Sequence, residues 1–178
     1  MRVCVYSQKQ SLVIDIGLIF MFTFLMAASA YVRIPLFFTP VPLTLQTLVL
    51  FLSIIFLKNK SVFSQVLYIL CGVAGLPIFT NAGGGLAYLL GPTGGYLIGF
   101  FIVALIFPHF LRANKSWVSN FVFFLLAGVV YFSIGAMWLV WLHHFSPQTA
   151  FSAGVLPFVV GDTLKALVAA GICSRIQS

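Results

Sequence analysis

Apolar positions fall in six runs, at about residues 11–32, 43–57, 62–77, 96–111, 117–142 and 155–172, broken by short stretches rich in charge, proline or glycine. Runs of this length predict membrane-spanning helices, because a transmembrane barrel would alternate apolar and polar residues and this chain does not alternate for long. Arg33 and Pro35 end the first run, and IPLFFTPVPLT at 34–44 holds prolines that cannot continue a helix and favour extended backbone. KNKS at 58–61 separates the second and third runs, and RANKS at 112–116 the fourth and fifth. The longest stretch without helical pattern is IFTNAGGGLAYLLGPTGG at 78–95, with six glycines and one proline, followed later by HHFSPQTAFSAG at 143–154. No internal repeat or low-complexity segment interrupts the series.

Composition moves the reading in the same direction. The 178 residues are 62% hydrophobic and 6% charged, with a mean hydropathy of +1.15, whereas soluble domains carry about 25% charged residues. The expectation is an all-α integral membrane protein forming a single membrane domain over 1–178, with its first apolar run a retained span and not a cleaved signal. Cys4, Cys71 and Cys173 have no metal-ligand spacing and read as free thiols. The net charge of +7 does not point to nucleic acid, because the basic residues stand singly between apolar runs and read as topology determinants. Arg2, Lys9, Lys58, Lys60, Arg112, Lys115 and Arg175 fall at one set of helix ends, and Arg33 at the other. This asymmetry places both termini in the cytoplasm and sends the proline, glycine and HHFSPQ segments outward.

Candidate chemistry centres on VVGDTLKALVAA at 159–170, because the chain has only two acidic residues, Asp15 and Asp162. A charge at a helix centre costs roughly 2.5–3.5 kcal/mol on insertion scales. Asp162 and Lys165, spaced i, i+3, share one helix face. They make either a structural ion pair that fixes helix packing or part of a site for a small polar molecule. Asp162 falls ~10 Å into the sixth run from its outer end at 1.5 Å per residue. Gly83, Gly84 and Gly85 allow close approach of backbone to a ligand, or form a simple turn. Asn81 and Tyr88 beside them either orient a polar head or cap that turn. Arg33 either attracts an anionic substrate or snorkels to lipid headgroups. His143 and His144 are adjacent, point apart and form no metal site. No catalytic triad assembles and no GxxxxGK[ST] loop is present, so any transport must draw energy from another protein or an ion gradient.

Three segments, RIPLFFTPVPLTLQTL at 33–48, QVLYILCGVAGLPIFTNAGGGLAYLLGPTGGYLIGF at 65–100 and PFVVGDTLKALVAA at 157–170, resemble the signature regions of the BioY family. These are the biotin-binding substrate-capture (S) components of energy-coupling factor (ECF) transporters. The resemblance implies six transmembrane helices and an outward-facing pocket in which Asn81, Tyr88, Asp162 and Lys165 contact ligand, with Arg33 an additional candidate. Biotin suits such a set: Asp162 can accept from a ureido N–H, Asn81 can complement the ureido group, and Lys165 can pair with a carboxylate or support Asp162. The implied partners are a membrane coupling subunit and two ATP-hydrolysing subunits, or none if the chain works alone, in a bacterial plasma membrane. No cofactor is implied beyond the substrate. The family's first helix carries small residues spaced by four for docking the coupling subunit, a pattern from which this chain departs, with Thr23, Ala27 and Tyr31 a degenerate version of it. The alternatives are an S component for another vitamin or a biotin precursor, and a non-transport membrane scaffold.

Overall fold

The computed structural model describes residues 8–111 and 116–177. Arg2, Cys4, Arg112 and Lys115 lie outside the described residues, as does the side chain of Lys9. Helix α1 (Gln8–Tyr31) runs into a small antiparallel hairpin, β1 (Arg33–Ile34) paired with β2 (Leu43–Thr44), in which Arg33 faces Thr44 and Ile34 faces Leu43. The second helix was expected from residue 43, but the prolines before it hold Leu43–Thr44 extended, and α2 is Gln46–Leu57. Lys58 adopts a left-sided φ of 50° and ends it, and after a short 3-10 turn α3 (Ser61–Val73) follows.

The chain folds back at this turn. A hydrogen bond of 2.8 Å joins the Gln46 amide, at the start of α2, to the Tyr68 hydroxyl near the end of α3. Along one unbroken helix those residues would lie ~33 Å apart. At the turn, Lys60 pairs with Asp15 of α1, which marks one end of the bundle. At the opposite end the Tyr31 hydroxyl donates to the Pro77 carbonyl.

Beyond α3, a 3-10 turn (Thr80–Ala82) and a one-turn helix α4 (Leu86–Leu89) occupy the glycine-rich stretch, and α5 (Gly94–Ile106) continues as a 3-10 turn through Pro108. Helix α6 (Trp117–His143) is followed by α7 (Pro147–Gly154) and α8 (Leu156–Gln177). Helix α7 lies where the sequence pattern suggested a loop. Its start has a local cause: the Ser146 hydroxyl accepts from the Thr149 amide, and Pro147 stands in the first turn, where its missing N–H costs nothing.

Contacts between helix ends, such as Asp15–Lys60, Tyr31–Pro77, Ser61–Ala104 and Gly171–Trp117, show α1, α2, α3, α5, α6 and α8 alternating in direction, and α6 packs most extensively on α5 and then α8. Leu12–Tyr31, Gln46–Val73, Trp117–His143 and Leu156–Ile176 are long and apolar enough to cross a membrane, although the second of these is the folded-back α2–α3 pair. Large apolar side chains such as Val13, Phe20, Phe24, Val129 and Val160 are exposed on helices whose other faces are buried, as hydrocarbon-facing helices require. Phe51, Phe100, Phe124 and Tyr131 fill the centre, with the Phe51 and Phe124 rings 4.9 Å apart and Phe100 edge-on to Tyr131 at 5.3 Å.

Along the i, i+4 register on α1, Tyr31 is exposed and Ala27 half-buried. Thr23 is buried, with its hydroxyl within reach of the carbonyls of Ile19 (2.9 Å) and Ser64 of α3 (3.2 Å). Cys71 is half-buried and Cys173 buried, both as free thiols.

Candidate functional site

Asp162 and Lys165 sit one turn apart on α8, each less than a tenth exposed. Burial forces both side chains to find partners, and besides each other they find them on β2, α2 and α6. Lys165 Nζ donates to Asp162 Oδ1 (2.5 Å), to the Thr47 hydroxyl (2.9 Å) and to the Thr44 carbonyl (2.6 Å), which uses all three of its N–H bonds. The Thr47 hydroxyl in turn donates to Asp162 Oδ1 at 2.9 Å. On the other carboxylate oxygen, Asp162 Oδ2 accepts from the Tyr131 hydroxyl of α6 at 2.5 Å. Tyr131 reaches that point because α5 and α6 run close together: a Cβ on Gly99 would stand 2.8 Å from the Tyr131 Cα. Strand β2 matters as well, since its Thr44 carbonyl is turned to the ammonium.

This cluster forms one wall of a cavity at the end of the bundle that carries the hairpin, the glycine stretch and α7. Val41, Leu43, Phe79, Phe100, Phe132 and Phe158 give it apolar walls, and Gln46, Tyr68, Thr80, Tyr88 and Thr93 add polar groups. Phe79 stacks on Tyr88 with ring centroids 4.9 Å apart, and Tyr68 meets Phe79 edge-on at 5.4 Å. The free space at its centre is about 50 Å³, room for a few waters. A bicyclic ligand therefore needs the walls to part. An apolar pocket with a few convergent polar groups is the common form of a small-molecule site.

Of the residues singled out in the sequence, the structure gathers Asp162, Lys165 and Tyr88 around this cavity. Asn81, Gly84, Gly85 and Arg33 stand outside its lining. Asn81 is exposed with φ 62° in the turn, and the neighbouring Thr80 is the residue that enters, its hydroxyl bonded to that of Tyr88. Gly85 has φ 84° and its amide donates to the Gly72 carbonyl at 2.7 Å, while a Cβ on Gly84 would stand 2.6 Å from the Leu76 carbonyl oxygen. These two glycines seat the loop against the end of α3 and so set where Tyr88 points. Arg33 is exposed on β1, across the hairpin from Thr44.

Sequence reading did not single out Thr44, Gln46, Thr47, Tyr68 or Tyr131. Gln46 was the detectable one, a polar residue inside an apolar run. It holds the Tyr68 hydroxyl, which donates on to the Ile78 carbonyl at 3.2 Å, tying α2 and α3 to the glycine loop. Among the described residues no group of His, Cys, Asp or Glu could hold a metal ion.

The site can be set beside known proteins. The chain is 38% identical over 161 residues to a biotin transporter BioY of Thermotoga maritima, covering 88% of this chain and 91% of that one. It is 36% identical over 164 residues to a probable biotin transporter BioY of Pyrococcus horikoshii, covering 92% and 96%. Its fold superposes on the crystal structure of the S-component for biotin from an ECF-type ABC transporter with a TM-score of 0.84, at 26% identity, over 97% of this chain and 94% of that one. The match to the BioY family runs from residue 6 to residue 178. With a family match along almost its whole length and a membrane-type helical fold shared with a biotin S-component, this chain belongs to the BioY family.

Proposed function

We propose that the chain captures biotin in the cavity between β2, α2, α6 and α8, as the S component of an ECF-type transporter. The observation that carries the reading is the Asp162–Lys165–Thr47–Tyr131 cluster set in the wall of an aromatic cavity, in a fold shared over nearly its whole length with a biotin S-component. Asp162 Oδ2 has one protein donor and capacity for a second, which suits a ureido N–H. Lys165 can exchange its bond to the Thr44 carbonyl for a ligand carboxylate. The aromatic rings flank a thioether bicycle, and Asn81 and Arg33 approach once the hairpin and glycine loop move.

In this reading α1, α2, α3, α5, α6 and α8 each cross the bilayer, both termini are cytoplasmic, and the cavity faces outward with high affinity for its ligand. Lys58, Lys60 and Arg175 at one end of the bundle against Arg33 at the other support that orientation. The protein is a multi-pass component of the plasma membrane, and a coupling subunit with two ATPase subunits supplies the energy.

The test is calorimetric titration of biotin into detergent-purified protein beside Asp162→Asn and Tyr88→Phe. The expected result is tight wild-type binding weakened by about 1–3 kcal/mol in Asp162→Asn, the scale of a lost hydrogen bond to a charge, and by less in Tyr88→Phe. Folded wild-type protein that ignores biotin would remove the ligand assignment. Equal affinities in all three would leave biotin in place and move the site elsewhere.

A further inference from the structure

A second cleft opens on the flank of the bundle, between α2, α6, α7 and α8, with a volume of about 580 Å³. Phe51, Gly128, Ala136 and Val155 line its interior, and Val129 (61% exposed) and Phe151 (54% exposed) stand at its mouth. Gly128 and Ala136 leave this stretch of α6 without bulk on the side that faces it. Tyr131, Phe132 and Asp162 belong to both its wall and that of the ligand cavity, so the hydrogen-bonded Tyr131–Asp162 pair and the Phe132 ring stand between the two spaces.

The lining decides what can fill it. Ser133 and Thr163, the hydroxyls at this level, are each spent on a carbonyl of their own helix, Val129 and Val159, at 2.7 Å. The Tyr131 hydroxyl and the Asp162 carboxylate are engaged with each other and with Thr47 and Lys165. A buried water needs two to four polar partners, which this lining does not offer. An unfilled space of this size would forfeit the dispersion contacts of every side chain around it. The mouth, meanwhile, is continuous with the apolar outer faces of α6 and α8, two of the stretches long and apolar enough to cross a membrane. Hydrocarbon from the surrounding bilayer can enter without meeting water.

The geometry points to an acyl-chain site: one fatty-acyl chain of a membrane phospholipid occupies the flank cleft and packs against the far side of the Tyr131–Asp162 pair. This is a site for a second, apolar ligand, and it stands or falls independently of which vitamin the polar cavity takes.

The experiment is photocrosslinking with a phospholipid carrying a diazirine in one acyl chain, in reconstituted vesicles, followed by peptide mapping by mass spectrometry. Adducts should concentrate on residues 128–136 and 151–159, several-fold above the exposed α1 positions Val13, Phe20 and Phe24, which meet only bulk lipid. Ala136→Phe, which fills the cleft from within, and Val159→Trp, which blocks its mouth, should each bring those adducts down to the α1 level while the melting temperature holds. Two variants are used so that a folding defect in one leaves the other to decide. Yields in the wild type equal to those on α1 would mean annular lipid only and overturn the proposal, as would strong labelling that persists in a folded, cleft-filled variant.

Discussion

At the scale of single residues, the chain keeps an aspartate and a lysine side chain inside a hydrocarbon-facing bundle by giving each a complete set of partners. Lys165 spends its three N–H bonds on Asp162, Thr47 and Thr44, and Asp162 takes donors on both oxygens. Removing one partner strands the other. Lys165→Met should therefore destabilise the protein by about 3–5 kcal/mol, whereas the double change Asp162→Asn with Lys165→Met should recover much of that loss. Thermal unfolding in detergent checks this, and simply additive losses would contradict it. The charged members were legible because acid and ammonium are rare in an apolar run. Thr47 and Tyr131 were not, since a hydroxyl is unremarkable in a membrane helix and only its pairing with a carboxylate 115 or 31 positions away marks it.

At the scale of elements, the glycine stretch shows how one pattern can carry two readings that spacing alone does not separate. GGG at 83–85 read either as backbone open to a ligand or as a simple turn, and in the structure the close approach is made to the chain's own α3 end: Gly84 against the Leu76 carbonyl and Gly85 to that of Gly72. Sequence spacing does not say which partner a bare backbone meets. The consequence is a contrast between glycines. Gly84→Ala should lower stability by about 1–3 kcal/mol through a backbone clash, as overpacking does, and loosen the loop that positions Tyr88. Gly17, exposed midway along α1 with nothing within 4 Å of an added Cβ, should tolerate alanine or gain up to about 1 kcal/mol. Paired melting curves would show the two shifts; equal losses would refute the assignment. Helix α7, by contrast, announced itself in Ser146-Pro147, a cap followed by a first-turn proline, and was missed because eight residues make too short a run to reveal a period.

At the scale of the whole molecule, the succession of apolar runs conveyed the helical order, because burial in hydrocarbon demands long apolar segments and satisfied backbone. It could not convey which helices enclose the cavity, since a uniformly apolar helix has no face that marks its neighbours. The proposed orientation has its own check. In a background freed of native cysteines, Phe37→Cys at the fully exposed tip of the β-hairpin loop should react with a membrane-impermeant maleimide in intact cells, and Asn59→Cys only after permeabilisation. The reverse labelling would invert the topology. The turn at Lys58 carries a further consequence. With 12 and 13 residues, α2 and α3 extend about 18 and 20 Å, well short of the ~30 Å hydrocarbon layer. With α2 and α3 each crossing the bilayer as proposed, a hairpin this short should draw the lipid headgroups toward it and thin the bilayer there. In the proposed topology the protein thus carries its own dimple in the membrane, which shortens the layer of oil beside the cavity.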